Sequence, residues 1–277
     1  MQKLYIMQKS NTKANIKISQ SFLKDYNEYK GNNMCGLQLK AKYIDNIEFP
    51  SSDAMDLGMY FEYKATNTLP KNNKIPEAKI SYAGTKRETI SAPYKRADES
   101  AKFFKDICIA HNIEIIECGL KLESENKVGT LDIWGKIDGK FAIIDLKYSG
   151  LIDDKWSDRG FDEESLHYKE QLLVQAVQYK MLIHECYNLD YKDFDFYFLV
   201  FDSRKVNNVK FLKIILDEDR FTLHETFVNS IYKQINALNL EKDLIPKPQL
   251  NRCSECPLNE SCDFKVEVPL IKDVYVG

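Results

Sequence analysis

Apolar and polar positions recur in two rhythms along the 277-residue chain, and they divide it into helices and strands. Phe22, Tyr26 and Tyr29 fall at helical spacing and Gly31 stops the run, which predicts a helix over residues 19–30. Met55, Met59 and Tyr63 predict a second helix, with Ser51 and Ser52 as candidate caps and Pro70 beyond its end. Residues 71–96 are polar and loop-like, and a helical pattern returns over residues 97–111. The next stretch, from "IEIIECGLKLE" through "VGTLDIWGKIDGKFAIIDLKYSG", is the most strand-rich. Its Asp138-Gly139 pair lies between apolar runs and predicts a tight hairpin, because both central residues of that turn favour positive φ. Three antiparallel strands are expected there. "SLHYKEQLLVQAVQYKMLIHECY" reads as a long helix, "FDFYFLVFD" and "VKFLKIILDED" as strands, and residues from about 220 to 240 as a last helix. Helices, meander, crossover helix, strands and helix together predict a mixed α/β fold with a central sheet flanked by helices.

Composition narrows the setting. A hydrophobic content of 44% supports one sizeable core, so a single domain over residues 1–277 is expected. No stretch approaches the roughly 18 continuous apolar residues of a membrane span, and "MQKLYIMQKSNTK" lacks the apolar core of a signal peptide. A cytoplasmic, intracellular protein without membrane contact is the expectation. The formal charge of −3 does not single out a nucleic-acid binder, although a net charge averages over faces of different sign.

The densest chemistry lies in the meander. In "AIIDLKYSG", Asp145 and Lys147 are two apart and share one strand face, while Leu146 points into the opposite layer. Asp132 sits among apolar neighbours in "GTLDIWG", where an unpaired carboxylate is costly to desolvate. The hairpin can bring it beside Asp145, and two close carboxylates repel unless a proton or a cation intervenes. Hard oxygen ligands suit Mg2+ or Mn2+. Lys147 could orient a water or neutralise charge building on a phosphate. Singly, each residue has a plainer reading: a strand end reaching solvent, a satisfied hairpin aspartate, a polar helix surface. In combination they are the parts of a phosphodiesterase.

Asp132 followed by Asp145-Leu146-Lys147 resembles the PD-(D/E)XK nuclease signature, and "GTLDIWGKIDGKFAIIDLKYSG" is similar to its RecB-like branch, which includes CRISPR-associated and AddB-type exonuclease domains. An earlier glycine and acidic residue on a helix match as Gly58 and Glu62 in "GMYFE", where many relatives have histidine; a QxxxY helix matches as Gln175 and Tyr179 in "QAVQY". The resemblance implies a restriction-endonuclease-like core. It implies that Glu62, Asp132, Asp145 and the Leu146 carbonyl bind Mg2+ or Mn2+, that Lys147 assists an attacking water, and that Gln175 and Tyr179 line the site or DNA channel. The implied activity is exonuclease action on single-stranded DNA ends in replication, recombination, repair or CRISPR adaptation. A helicase or a recombination or adaptation protein would be the partner, since no phosphate loop of an unwinding motor is present.

Seven cysteines cannot all pair internally. Cys108, Cys118 and Cys186 are scattered and read as small core residues, whereas Cys253, Cys256 and Cys262 cluster in "CSECPLNESC", a pattern closer to a metal site than to a disulfide framework. The spacing alone leaves zinc and iron open. Iron–sulfur RecB-like nucleases join one early cysteine to three late ones. That resemblance makes Cys35 the fourth ligand of a [4Fe–4S] cluster joining the two ends of the chain, with structural Zn2+ as the alternative.

Residues 71–96 carry seven Lys or Arg against two Glu, with Tyr82 and Tyr94 interspersed. Lys86, Arg87, Lys95 and Arg96 are candidate DNA contacts, and a solvated surface loop is the equal alternative. Trp156, in the acidic stretch after residue 150, either stacks on DNA or anchors its loop. Two other functions stand beside the enzyme: a non-catalytic DNA-binding module, against which intact Asp145 and Lys147 argue, and an assembly subunit of a larger replication or viral complex.

Overall fold

The computed structural model describes residues 17–70, 73–83, 87–240 and 242–266, without the side chains of 82, 83, 87 and 88. Its helices are α1 (Gln20–Lys30), α2 (Gly36–Tyr43), α3 (Asp53–Thr66), α4 (Ala92–Ala110), α5 (Glu170–Tyr187), α6 (Glu218–Ala237) and the short α7 (Leu250–Cys253). Its strands are β1 (Ile80–Ala83), β2 (Arg87–Ile90), β3 (Ile113–Glu123), β4 (Val128–Ile137), β5 (Lys140–Ser149), β6 (Phe194–Asp202) and β7 (Val209–Lys213). They form two compact units. One comprises residues 18–20 and 50–231, and the other is built from residue 17, residues 21–49 and the described residues after 231.

The larger unit is a five-stranded mixed sheet in the order β3-β4-β5-β6-β7. The meander β3-β4-β5 is antiparallel, β5 and β6 are parallel, and β7 returns antiparallel to β6. The parallel pair needs a crossover, and α5 lies between its two strands in sequence. At the β4–β5 turn Asp138 and Gly139 take φ of 50° and 83°, as the hairpin requires.

Both faces of β5 and β6 are covered, which is why these strands read as nearly continuous apolar runs. Ala142, Ile144 and Leu146, with Leu199 and Phe201, pack against Phe61 of α3 and Ala97, Ala101 and Phe104 of α4. Ile143, with Phe196, Phe198 and Val200, packs in the cluster of Leu172, Ala176, Tyr179 and Leu182 of α5. At Gly129 on β4 a side chain would start 2.8 Å from Leu182 and 3.2 Å from the Tyr179 ring. Glycine there lets α5 lie close to the sheet, which sets the depth of Tyr179. No described helix is long and apolar enough to cross a membrane.

Several elements differ from the pattern in the sequence. Residues 71–96 are not one loop, because β1 and β2 pair as an antiparallel hairpin and α4 begins at Ala92. Pro93 stands in its first turn, where a missing N–H costs nothing. The helix start carries Tyr94 into the core, 4% exposed and edge-on to Tyr60 at 4.9 Å, so it is not available to stack on a base. Cys108 and Cys118 are half-buried against apolar neighbours, but Cys186 is exposed and not a core residue.

In the smaller unit, Phe22, Leu23, Tyr26 and Tyr29 of α1 and Leu39 of α2 are buried. A side chain at Gly36 would start 2.3 Å from the Ile245 carbonyl oxygen, so only glycine admits the 244–245 backbone there. Lys247 Nζ donates to the Tyr29 carbonyl at 2.6 Å and to Asn32 Oδ1 at 2.8 Å, and the Asn32 carbonyl also accepts from Gln249 Nε2 at 3.0 Å. These bonds hold the residues after α1 beside the 247–252 segment.

Candidate active site

The larger unit's candidate site forms where β4 and β5 part. Their ladder pairs Ile133 with Ile144, and one step further on each strand stand Asp132 and Asp145. There the Leu146 N–H donates to Asp132 Oδ2, at 2.7 Å. Asp145 is 2% exposed and anchored at both oxygens: Gln175 Nε2 donates to Oδ1 at 2.7 Å, and Lys147 Nζ pairs with Oδ2. The strand period thus puts Asp145 and Lys147 on the α5 face, while Leu146 joins the opposite cluster. Gln175 is buried, and Tyr179, also buried, lies one helical turn on along the same face of α5. Glu62 on α3 completes the acidic group from a third element.

The electrostatics are those of crowded acids. Burial, then the charges of Asp145 and Glu62, push the Asp132 carboxyl well above its ordinary range. Burial and the Asp145 charge raise Glu62 as well. Burial also raises Asp145, although Lys147 opposes it. Burial would lower Lys147, yet Asp145, Asp132 and Glu62 together hold its ammonium above the ordinary lysine value. Tyr179 stays protonated, raised by burial and then by Asp145 and Asp132.

Two neighbours of this group escaped the sequence reading. The Cys118 thiol is raised by burial and then by the charges of Asp132 and Glu62; on β3 it stands opposite Ile133, next to Asp132. The Phe198 ring lies 5.9 Å from Lys147 Nζ, a cation–π contact presaged only by the alternation of "FDFYFLVFD".

No family model matches this chain, and no curated protein matches it. Among solved structures it is similar to a candidate exonuclease from Eubacterium rectale, with a TM-score of 0.59 over 96% of this chain and 97% of that one, at 14% identity. The two share a fold. The shared architecture is an α/β fold whose central five-stranded mixed sheet is flanked by helices.

In the smaller unit, Cys35, Cys253, Cys256 and Cys262 all line one cavity. Cys35 stands at the start of α2, and the other three lie in α7 and the turns that follow it. Two of the sulfurs accept hydrogen bonds, Cys256 Sγ from Gln38 Nε2 at 3.1 Å and Cys35 Sγ from the Lys247 N–H at 3.3 Å. Among the described residues, no group of three or more His, Cys, Asp or Glu side chains converges tightly enough to hold a metal ion. Of the basic candidates, Lys95 is exposed on α4, and Arg96 Nε donates to the Ser203 carbonyl at 3.1 Å. Arg87 contributes backbone to β2; its side chain, like the whole of Lys86, lies outside the described residues.

Proposed function

We propose that this chain is a metal-dependent nuclease that hydrolyses phosphodiester bonds of DNA at the end of β5. The observation that carries this reading is the gathering of Glu62, Asp132 and Asp145 about the single ammonium of Lys147, with Asp145 buried and the other three half-buried. Up to three negative charges meet one positive charge there, and such an imbalance is relieved by protons or by a hard cation. Carboxylate oxygens from Glu62, Asp132 and Asp145, with the Leu146 carbonyl, suit Mg2+ or Mn2+. When bound, the ion would supply Lewis-acid activation of the phosphate and make a water more acidic.

The chain's own residues define the remaining roles. Gln175 fixes the rotation of the Asp145 carboxylate. Lys147, held protonated, can neutralise charge that builds on a phosphate in the transition state. The resemblance to RecB-like nucleases favours an exonuclease on single-stranded ends, working with a helicase or a recombination or adaptation partner.

The same reading assigns Cys35, Cys253, Cys256 and Cys262 to a [4Fe–4S] cluster, with structural Zn2+ as the alternative. Its support is the donor chemistry, four thiols around one cavity with hydrogen bonds already aimed at two of them. When bound, the cluster would supply a cross-link between the Cys35 turn and the 253–262 segment.

End-labelled single-stranded and double-stranded DNA, incubated with Mg2+ or Mn2+, tests the proposal. Metal-dependent cutting by the native chain, lost in Asp145→Ala and in Lys147→Ala, is the expected result. A folded, cluster-loaded protein that cuts neither substrate would leave a DNA-binding or assembly role instead. Stoichiometric zinc without iron or sulfide would remove the iron–sulfur assignment and leave the nuclease standing.

A further inference from the structure

The segment between β5 and α5 joins the strand of Asp145 and Lys147 to the helix of Gln175 and Tyr179, and it is built as a rigid mount. Ile152 and Phe161 are 0% and 3% exposed and bury its inner side. Phe161 meets Phe198 edge-on at 5.7 Å, the same ring that faces Lys147. The buried Lys169 ammonium donates to the carbonyls of Lys155 and Ser157, at 2.6 Å and 2.5 Å, clamping the backbone on either side of residue 156. Asp154 Oδ1 accepts the N–H groups of Trp156 and Ser157 at 2.8 Å and 2.7 Å. At Gly160 a side chain would start 2.0 Å from the Asp154 carbonyl oxygen, so the loop closes only on glycine.

On this fixed backbone the Trp156 side chain is 93% exposed, so it does not anchor the loop. Tyr168, 74% exposed, directly precedes Lys169, and the same ammonium therefore ties the two ring-bearing segments together. Part of the acidity of the loop is paired within its own unit. Asp153 pairs with Lys210 at 2.8 Å, Glu164 with Lys155 at 2.6 Å, and Asp162 accepts the Ser165 N–H at 3.1 Å.

We infer that Trp156, with Tyr168 twelve residues on and tied to it through Lys169, is a stacking platform for the bases of single-stranded nucleic acid delivered to the β5 site. The inference rests on the nuclease reading above. An aromatic ring carried on a fixed backbone accepts any base for the ordering cost of its own two side-chain torsions, but only where the base is unstacked, which selects a single strand over a duplex.

The test uses the full native chain, a dT oligonucleotide of about 12 nucleotides and buffer without Mg2+ or Mn2+. The chain has two tryptophans, and Trp134 is 7% exposed and stacked on Phe141, so Trp156 supplies the long-wavelength emission. The oligonucleotide should quench that emission, and blunt duplex of equal length should not. Trp156→Ala should abolish the quench and raise Kd about tenfold or more by anisotropy, while Trp156→Phe recovers most of the affinity. Equal Kd for Trp156→Ala and the native chain would overturn the platform while leaving the nuclease intact, provided the native chain cuts DNA with Mg2+. A native chain that neither binds nor cuts would overturn both.

Discussion

The acidic group at the end of β5 and the cysteine cavity of the smaller unit are held in opposite ways. The carboxylates hang on secondary structure with packed apolar layers on both faces, and Asp145 is fixed by a helix 30 residues away in sequence. The cysteines hang on turns: α7 has four residues, the 3-10 turn Asn259–Ser261 has three, and neither contains a buried residue. A packed scaffold can hold mutually repelling groups together without an ion, and turns that bury no side chain cannot supply comparable rigidity. The backbone of the first region is therefore set by packing, although neither its carboxylates nor the thiols converge tightly enough to hold a metal ion among the described residues, and on the proposed cluster reading the second region would take its shape from what the thiols bind.

The largest effect expected from this contrast is chemical. Asp145→Ala and Lys147→Ala should each lower DNA cleavage by about 10³-fold or more while far-ultraviolet dichroism and melting remain cooperative. A variant that loses cleavage only because the sheet unfolds would show that the site is not independently scaffolded.

Next in size is a stability effect confined to the cysteine region. Cys256→Ser should lose its metal or cluster and several kcal/mol of local stability, since binding free energy at such sites is folding free energy. Hydrogen exchange resolves the location: amides of residues 247–262 should exchange faster while those around Gln175 stay protected. Withdrawing Mg2+ or Mn2+ should speed exchange around Gln175 only as far as global stability falls, leaving its protection above that of residues 247–262. Uniform acceleration in both regions would erase the distinction drawn here.

How much of this was legible in the chain follows the same division. The meander, its Asp138-Gly139 turn and the shared face of Asp145 and Lys147 come from period-two patterning, which local sequence encodes directly. The Gln175–Asp145 bond joins elements 30 residues apart and is visible only once α5 docks on the sheet. The helix α2 escaped because Leu37, Leu39, Ala41 and Tyr43 alternate like a strand, and packing overrides that pattern. Tyr94 was counted with its polar neighbours, although Ser91 and Pro93 already mark a helix start. The β1–β2 hairpin is short and its Ile80 and Ile90 are exposed, so it carries no burial signal to read.

A smaller effect tests how the packed unit tolerates a buried charge of the other sign. Lys180 follows Tyr179 on α5, 6% exposed, and donates to the carbonyls of Tyr191 and Phe194 at 2.9 Å and 2.7 Å. Burial lowers its ammonium to about 8. The unfolded chain then binds more protons between about pH 8 and 10.5, so stability from this group rises with pH across that window and is lost again as pH falls through 8. Lys180→Met should flatten the rise, by on the order of 2–3 kcal/mol across the window. Equal slopes in variant and native chain would mean that Lys180 reaches water.

The smallest expected effect carries the sharpest sign. Asp132 has a folded-state carboxyl raised above its unfolded value, so its contribution to stability is full only below the unfolded value and is lost as pH rises through the raised one. Above the ordinary aspartate range and without divalent ion, burial of this carboxyl therefore weakens the fold. Asp132→Asn keeps an acceptor for the Leu146 N–H and removes the charge. The ion-free variant should melt roughly a few degrees above the native chain at pH 7, and the gap should close on acidification as native Asp132 takes up its proton. Added Mn2+ should reverse the order, raising the native melting temperature and leaving the variant unmoved. Identical melting of the two proteins with and without Mn2+ would mean that Asp132 neither strains the ion-free fold nor binds the ion. That outcome would remove the argument from charge imbalance on which the metal assignment stands.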